Sequence, residues 1–177
     1  FFSQQITPED LAATPPVRVI EVHRSSLHVL GDGIDQQIPS GPDATVGDWL
    51  LLNQDLPANS TVLDRKSLFR RRAPGHDRSL QSIAANVDTV FIVTSCNRDF
   101  NVARLERYVA LALDAGVAPV IVMTKTDLCD DPVPFISEAE TISHKVPVVA
   151  LNALAEDAVA VLADWCTPGQ SIAFLGS

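Results

Sequence analysis

Two spacings of apolar residues divide the chain. Up to about residue 72 the apolar positions fall in short runs, at residues 17–22, 27–30, 49–52 and 61–63, separated by Arg24-Ser25-Ser26, Gly31-Asp32-Gly33 and Pro57-Ala58-Asn59-Ser60. Short runs bounded by turn residues predict β-strands, and four or five of them in a stretch this small predict a closed or partly open barrel of SH3 or OB type. From Val87 onward the spacing alternates. Residues 87–94 are β-branched and aromatic, suited to a strand buried on both faces. Val102, Leu105, Val109, Ala112 and Leu113 then share one helical face, with Asn101 placed to cap its start and Gly116 to end it. Residues 118–123, 146–151 and 171–175 read as further strands. Phe135, Ile136, Ala139 and Ile142, and Ala158, Val161, Leu162 and Trp165, read as further helices. This βαβαβαβ order predicts a parallel sheet with right-handed crossovers and a ligand crevice at the carboxyl ends of its strands.

Composition supports a folded chain with a substantial core, because 46% of the 177 residues are hydrophobic and only 20% charged. That balance excludes disorder, collagen and coiled coil. The net charge of −9 excludes a surface that attracts phosphate backbones everywhere. Positive charge is instead concentrated in one segment, residues 64–78, where Arg65, Lys66, Arg70, Arg71, Arg72 and Arg78 face only Asp64 and Asp77. The expected organisation is an N-terminal extension (1–16), a β-barrel (17–72), a basic linker (73–83) and an α/β domain (84–177). Cys96, Cys129 and Cys166 form no C-x-x-C pair, and His23, His28, His76 and His144 have no metal spacing, so no metal site is expected in this chain. Asn97, Asp99 and Asp114 carry no partner pattern for acid–base work, and no catalytic residue is assigned. The apolar runs are too short for a membrane span, and a reducing cytoplasm fits the free cysteines.

The most informative stretch is Val120-Ile121-Val122-Met123-Thr124-Lys125-Thr126-Asp127, a buried strand running directly into Thr-Lys-x-Asp. It resembles the guanine-recognition motif of GTPases, Asn/Thr-Lys-x-Asp. A carboxylate at Asp127 accepts two hydrogen bonds from the N1–H and exocyclic amine of guanine, whereas adenine offers neither donor there and leaves the carboxylate unpaired. Lys125 lays its methylene stem on the purine face, Thr124 in place of the commoner Asn makes one hydroxyl contact that helps complete the base pocket, and Thr126 is counted with them as nucleotide-binding. A polar turn with solvated Lys125 and Asp127 is the plain alternative. Asn152-Ala153-Leu154 comes after the next strand, where GTPases place a Ser-Ala-x loop whose backbone N–H groups meet guanine O6; an ordinary strand-to-helix turn reads equally well. The last strand runs into Gly176-Ser177, as a strand does before a phosphate loop G-x-x-x-x-G-K-[ST], and no phosphate-binding Lys follows in this sequence.

Guanine recognition before the phosphate loop is a circular permutation. With the N-terminal β-barrel, it resembles the RsgA (YjeQ, EngC) family of small-ribosomal-subunit GTPases. The resemblance is carried by Val46-Gly47-Asp48-Trp49, Arg65-Lys66-Ser67-Leu68-Phe69-Arg70-Arg71, Asp99-Phe100-Asn101, Arg104-Leu105-Glu106-Arg107-Tyr108 and residues 84–93 and 119–127. It implies an OB-like barrel plus an α/β three-layer P-loop-type GTPase domain, circularly permuted and incomplete here. It also implies GTP and GDP as ligands with Mg²⁺, a zinc-binding domain beyond this chain and hydrolysis stimulated by the small ribosomal subunit; a monomer is expected. As written, the sequence is expected neither to hydrolyse GTP nor to bind zinc. The stretch between Leu30 and Val46 looks shorter than the family's OB domain, so a strand is expected to be missing. The basic residues are expected to meet rRNA phosphates, with Phe69 and the surface near Trp49 adding stacking, although a solvated linker with Trp49 in the core is as compatible. The rival reading is a non-catalytic rRNA- or ribosome-binding module with a degenerate nucleotide domain; a third is an α/β domain for another nucleotide, for which ADP would compete as well as GDP.

Overall fold

The first sheet is antiparallel and is assembled around the alternating apolar residues of the N-terminal half. The computed structural model describes residues 1–72 and 80–176, the side chain of Arg72 excepted, and divides into two units, Phe1–Asn86 and Val87–Ser177. In the first, a short helix α1 (Pro8–Ala13) begins at Thr7, whose hydroxyl accepts from Asp10 N–H while the Asp10 carboxylate accepts from Thr7 N–H. The residues ahead of Thr14 are further tied by the Gln5 side chain, which exchanges two hydrogen bonds with the backbone of Asp64. Strands β1 (Pro16–Val22), β2 (Ser26–Gly31), β3 (Ile34–Pro39), β4 (Trp49–Leu51) and β5 (Thr61–Val62) form one sheet in the order β3-β2-β1-β4-β5. Val17, Val19, Leu27, Val29, Ile38, Leu50 and Leu52 bury together as its core. The result is an OB-like sheet.

The strand expected to be missing is present as β3. Asp32 and Gly33 turn β2 tightly back on itself, with Gly33 at φ +67°, and β3 pairs with β2 from Ser26–Pro39 to Gly31–Ile34. The apolar pattern hid it because Asp35, Gln36 and Gln37 are polar and only Ile38 is fully buried.

The basic segment contains a hairpin. Strands β6 (Leu68–Arg72) and β7 (Leu80–Ala85) pair antiparallel, and Ala84 bridges to Val46. Residues 73–79, where the linker at 73–83 was expected to begin, lie outside the described residues; residues 80–83 belong to β7. The approach of β7 explains the glycine in Val46-Gly47-Asp48-Trp49. Gly47 has φ +91°, and a Cβ there would meet the Ala85 carbonyl oxygen at 2.1 Å.

The second unit is α/β. Strands β8 (Thr89–Ser95), β9 (Ala118–Thr124), β10 (Val148–Ala150) and β11 (Ile172–Gly176) form a parallel sheet in the order β10-β9-β8-β11, connected through helices α2 (Val102–Asp114), α3 (Val133–Glu140) and α4 (Ala158–Val161). Asn101 caps α2 by accepting from Arg104 N–H, and Gly116 comes just past its end at φ +75°. On one face of the sheet Phe91, Val120, Val122 and Leu151 pack with Ala158, Leu162 and Trp165. The alternate residues Val90, Ile92, Ile121 and Met123 bury on the other, where α2 contributes Leu105, Val109 and Ala112. The helix expected to run from Ala158 to Trp165 is instead one turn, α4, succeeded by a 3-10 turn at Ala163–Trp165.

Candidate functional site

Thr124 ends β9, a strand flanked on both sides by parallel neighbours, so the residues after it emerge at the carboxyl edge of the sheet. Its hydroxyl donates to the Thr94 carbonyl at 2.9 Å, and its own carbonyl accepts from Cys96 N–H at 3.0 Å. Both bonds fasten the end of β9 to the end of β8. The chain then bends at Lys125, which sits in the left-handed region at φ 59°, ψ 33°. A lysine there lacks the local side-chain bonds that ease this conformation for Asn or Asp, so the bend is held by its surroundings. One 3-10 turn, Thr126–Leu128, comes next, closed by Leu128 N–H donating to the Lys125 carbonyl at 3.1 Å. The bend leaves Lys125 and Asp127 exposed and Thr124 and Thr126 half-buried. Asp127 is thus held on a fixed turn with its carboxylate open to solvent.

The neighbouring strand supplies a second loop. Leu151 N–H donates to the Met123 carbonyl at 2.9 Å, continuing β10 alongside β9. Beyond it the Asn152 side chain accepts from Leu154 N–H at 2.9 Å, and the Asn152 carbonyl accepts from Ala155 N–H. Asn152 therefore builds an Asx turn that a serine would build less strongly. The turn engages Leu154 N–H, so among the described residues the backbone donors left without a partner in this loop are those of Asn152 and Ala153. Leu154 itself is 93% exposed.

On the opposite side of β8, β11 delivers Gly176 to the same carboxyl edge, paired with Val93. A Cβ at Gly176 would lie 2.5 Å from the Val93 carbonyl oxygen, so the last residue of this strand has to be glycine. Ser177 lies outside the described residues. Between these elements, a cavity of about 370 Å³ is lined by Val93, Val122, Thr124, Leu151, Ala153 and Phe174 among others, almost wholly by apolar atoms. The structure thus brings Thr124, Lys125, Thr126, Asp127, Asn152, Ala153, Leu154 and Gly176 to one edge of one sheet. Among the described residues no group of His, Cys, Asp and Glu suited to a metal ion is found.

The basic residues are differently placed. Arg65 donates twice to the Asp48 carboxylate, at 2.8 Å from both Nε and Nη2, and once to the Asp43 carbonyl. Asp48 is fully buried and also accepts from Thr45 N–H, so Arg65 neutralises a charge inside the barrel unit. The hydrogen bonds to Asp48 hold the Arg65 pKa above its usual value. Lys66, Arg70 and Arg71 are exposed, with Arg71 Nε donating to Gln81 Oε1 at 3.2 Å. The Arg72 side chain and all of Arg78 lie outside the described residues. Phe69, a candidate stacking residue, is buried at 5% exposure and closed to a ligand. Trp49 is half-buried, with the Phe2 ring 5.9 Å away and the Arg18 guanidinium 5.8 Å from its centre.

Sequence reasoning missed the Asp48–Arg65 pair. Its signal was the Gly47-Asp48 dipeptide before a strand, since an acidic residue next to a glycine forced by close packing stands where burial is expected.

Comparison with known proteins gives concordant results. The family model described as RsgA GTPase matches residues 62–177. The chain is 44% identical over 180 aligned positions to the small ribosomal subunit biogenesis GTPase RsgA 2 of Vibrio parahaemolyticus serotype O3:K6 (strain RIMD 2210633), covering 100% of this chain and 50% of that protein. It is 42% identical over 182 positions to the small ribosomal subunit biogenesis GTPase RsgA of Mesorhizobium japonicum (strain LMG 29417 / CECT 9101 / MAFF 303099), covering 100% of this chain and 52% of that one. The chain thus spans about half the length of these curated relatives. Among solved structures it is similar in fold to YjeQ from Thermotoga maritima, with a TM-score of 0.68 at 20% identity, covering 92% of this chain and 60% of that one. It is also similar to YloQ, a circularly permuted GTPase, with a TM-score of 0.64 at 18% identity, covering 93% and 60%.

Proposed function

The chain belongs to the RsgA GTPase family, and we propose that the full-length protein containing it binds guanine nucleotides and hydrolyses GTP as a biogenesis factor on the small ribosomal subunit. The observation that carries this reading is Asp127, exposed on a rigid turn at the carboxyl end of a central parallel strand, with unpartnered backbone N–H groups at Asn152 and Ala153 on the adjoining strand end. The carboxylate accepts from guanine N1–H and the exocyclic amine, and the loop N–H groups donate to O6. Together these match the three polar atoms on that edge of the base. Lys125 covers the purine face, Thr124 and Thr126 hold the turn, and Gly176-Ser177 opens the loop that receives the phosphates. Mg²⁺ would be held by those phosphates with side chains of the phosphate loop, and zinc by a further domain.

The proposed rRNA contact is electrostatic and rests on Lys66, Arg70, Arg71, Arg72 and Arg78, each neutralising backbone phosphate without reading sequence. Arg65 belongs to this basic group, but its engagement by Asp48 gives it a structural part. Among the described residues no helix is long and apolar enough to cross a membrane. The proposed site of action is the cytoplasmic ribosome, and the proposed working form a monomer. The test is competition against a fluorescent GDP analogue on the full-length protein. GDP should displace it at least about 10²-fold more effectively than ADP, since ADP leaves the carboxylate unpaired; equal displacement by ADP would overturn the guanine assignment.

A further inference from the structure

The turn that presents Asp127 depends on a loop of another strand. After β8 the chain runs Ser95-Cys96-Asn97-Arg98-Asp99, and Asn97 organises it. Its Oδ1 accepts from Ser95 Oγ at 2.9 Å and from Asp99 N–H at 2.9 Å, while its backbone N–H donates to the Ser95 carbonyl and its carbonyl accepts from Phe100 N–H. These bonds fix the peptide between Ser95 and Asn97, and that peptide carries Cys96 N–H, the donor to the Thr124 carbonyl. The Thr124 carbonyl is the last backbone group before the left-handed bend at Lys125. Cys96 itself is buried at 4% exposure, so its amide has no water to replace that acceptor.

We infer that Asn97 is a positioning residue for guanine binding: through the Cys96–Thr124 hydrogen bond it holds the strained Lys125 bend, and so the Asp127 carboxylate, in register with the base. This role rests on the proposed guanine site. A left-handed lysine relaxes toward ordinary backbone unless both flanks are held. Thr124 Oγ1 on the Thr94 carbonyl and Leu128 N–H on the Lys125 carbonyl hold the side chain before the bend and the turn after it. Among the described residues only the Cys96 amide holds the Thr124 carbonyl, and its own position is set by the Asn97 turn. Displacing a recognition group by about 1 Å weakens its function far more than it weakens the fold.

The experiment compares Asn97→Ala, Asn97→Asp and Ser95→Ala in the full-length protein, reading affinity for a fluorescent GDP analogue, the GDP-to-ADP preference and Tm. Asn97→Asp keeps an acceptor oxygen for Ser95 Oγ and Asp99 N–H, so it should bind as the unaltered protein does. Asn97→Ala should weaken GDP binding by roughly 10-fold, the loss of about one well-made hydrogen bond, and reduce the GDP-to-ADP preference while Tm stays within about 2 °C. Ser95→Ala, which removes one of the two donors to Oδ1, should weaken binding by about 3-fold; it carries the test if Asn97→Ala does not fold. Unchanged GDP affinity in Asn97→Ala or, in its absence, in Ser95→Ala overturns the inference, as does a loss that Asn97→Asp fails to rescue. An Asp127→Ala control separates the two readings. If it too binds GDP normally, the guanine site is wrong; if it loses GDP while Asn97→Ala does not, only the role of Asn97 falls.

Discussion

The turn at Thr124–Asp127 and the basic stretch from Arg65 to Arg72 are both polar segments bordering β-strands, yet they use their charges in opposite ways. At the turn, backbone groups and the Thr124 hydroxyl make the bonds and the charged side chains are left outside. Thr124 is fastened to β8 on two sides, and Lys125 and Asp127 remain exposed. In the basic stretch the first basic side chain is consumed by the fold, because Arg65 satisfies the buried carboxylate of Asp48, whereas Lys66, Arg70 and Arg71 reach solvent. A run of like charges therefore says little about which members can meet a partner, whereas a strand ending in a short polar motif says a good deal. The strand fixes the geometry, and residues immediately beyond it must emerge at the sheet edge.

Breaking the Asp48–Arg65 pair tests that contrast most severely. Removing one partner of a buried ion pair leaves an uncompensated charge. Arg65→Ala should destabilise the barrel unit by about 3–5 kcal/mol in urea denaturation, and Arg70→Ala should leave its stability within about 0.5 kcal/mol. Equal effects of the two would mean Arg65 is as dispensable to the fold as Arg70. The partner reading is sharpened next by reversing charge at Arg70 and Arg71. Binding to the small ribosomal subunit should weaken, and the slope of log affinity against log salt should fall by about 2. An unchanged slope would return the hairpin to a purely structural part.

At the turn, the main chain of Thr94 is predicted to matter and its side chain is not. The Thr94 carbonyl accepts from Thr124 Oγ1, but its own hydroxyl is buried with no partner among the described residues. Thr94→Val keeps the carbonyl and removes the orphaned hydroxyl. It should be neutral or raise stability by about 1 kcal/mol, with GDP binding retained. A loss of stability would show that the hydroxyl has a partner. The smallest effect concerns the barrel. His28 bonds Asp35 at 2.6 Å, and this bond chiefly raises its pKa. A group with a raised folded pKa contributes stability below its unfolded pKa, near 6.5, and loses it as pH climbs through the folded value. Tm should therefore drop slightly from pH 6 to pH 8, and less so in His28→Gln. An identical drop in both would remove His28 as its source.

Much of the fold was legible in the amino-acid order, for identifiable reasons. The α/β unit keeps closely to the sequence pattern because β8 and β9 are continuous apolar strands and α2 carries a clean cap, stripe and terminating glycine. Strand β3 was hidden because a half-solvated edge needs only Ile34 and Ile38 on its inner side. The β6–β7 hairpin was hidden by its arginines, since charge reads as linker when the opposite face of the strand, here Phe69, is too short a pattern to stand out. For the proposed base site, the sequence named candidate residues but not the contacts that support them. The left-handed Lys125 and the tie from Cys96 to the Thr124 carbonyl are backbone facts with no side-chain signature.

The most direct measurement exchanges the carboxylate of Asp127 for an amide. Asparagine at that position still accepts from a base N1–H but offers an N–H₂ donor where the second carboxylate oxygen stood. It thereby mismatches the exocyclic amine of guanine and matches the 2-oxo group of xanthine. Binding of GDP and xanthosine diphosphate to full-length protein with and without Asp127→Asn should show GDP affinity falling by about 10²-fold or more while the xanthine nucleotide gains and becomes the preferred ligand. If Asp127→Asn leaves GDP preferred by the original margin, the carboxylate does not face the base, and the account of this site is contradicted.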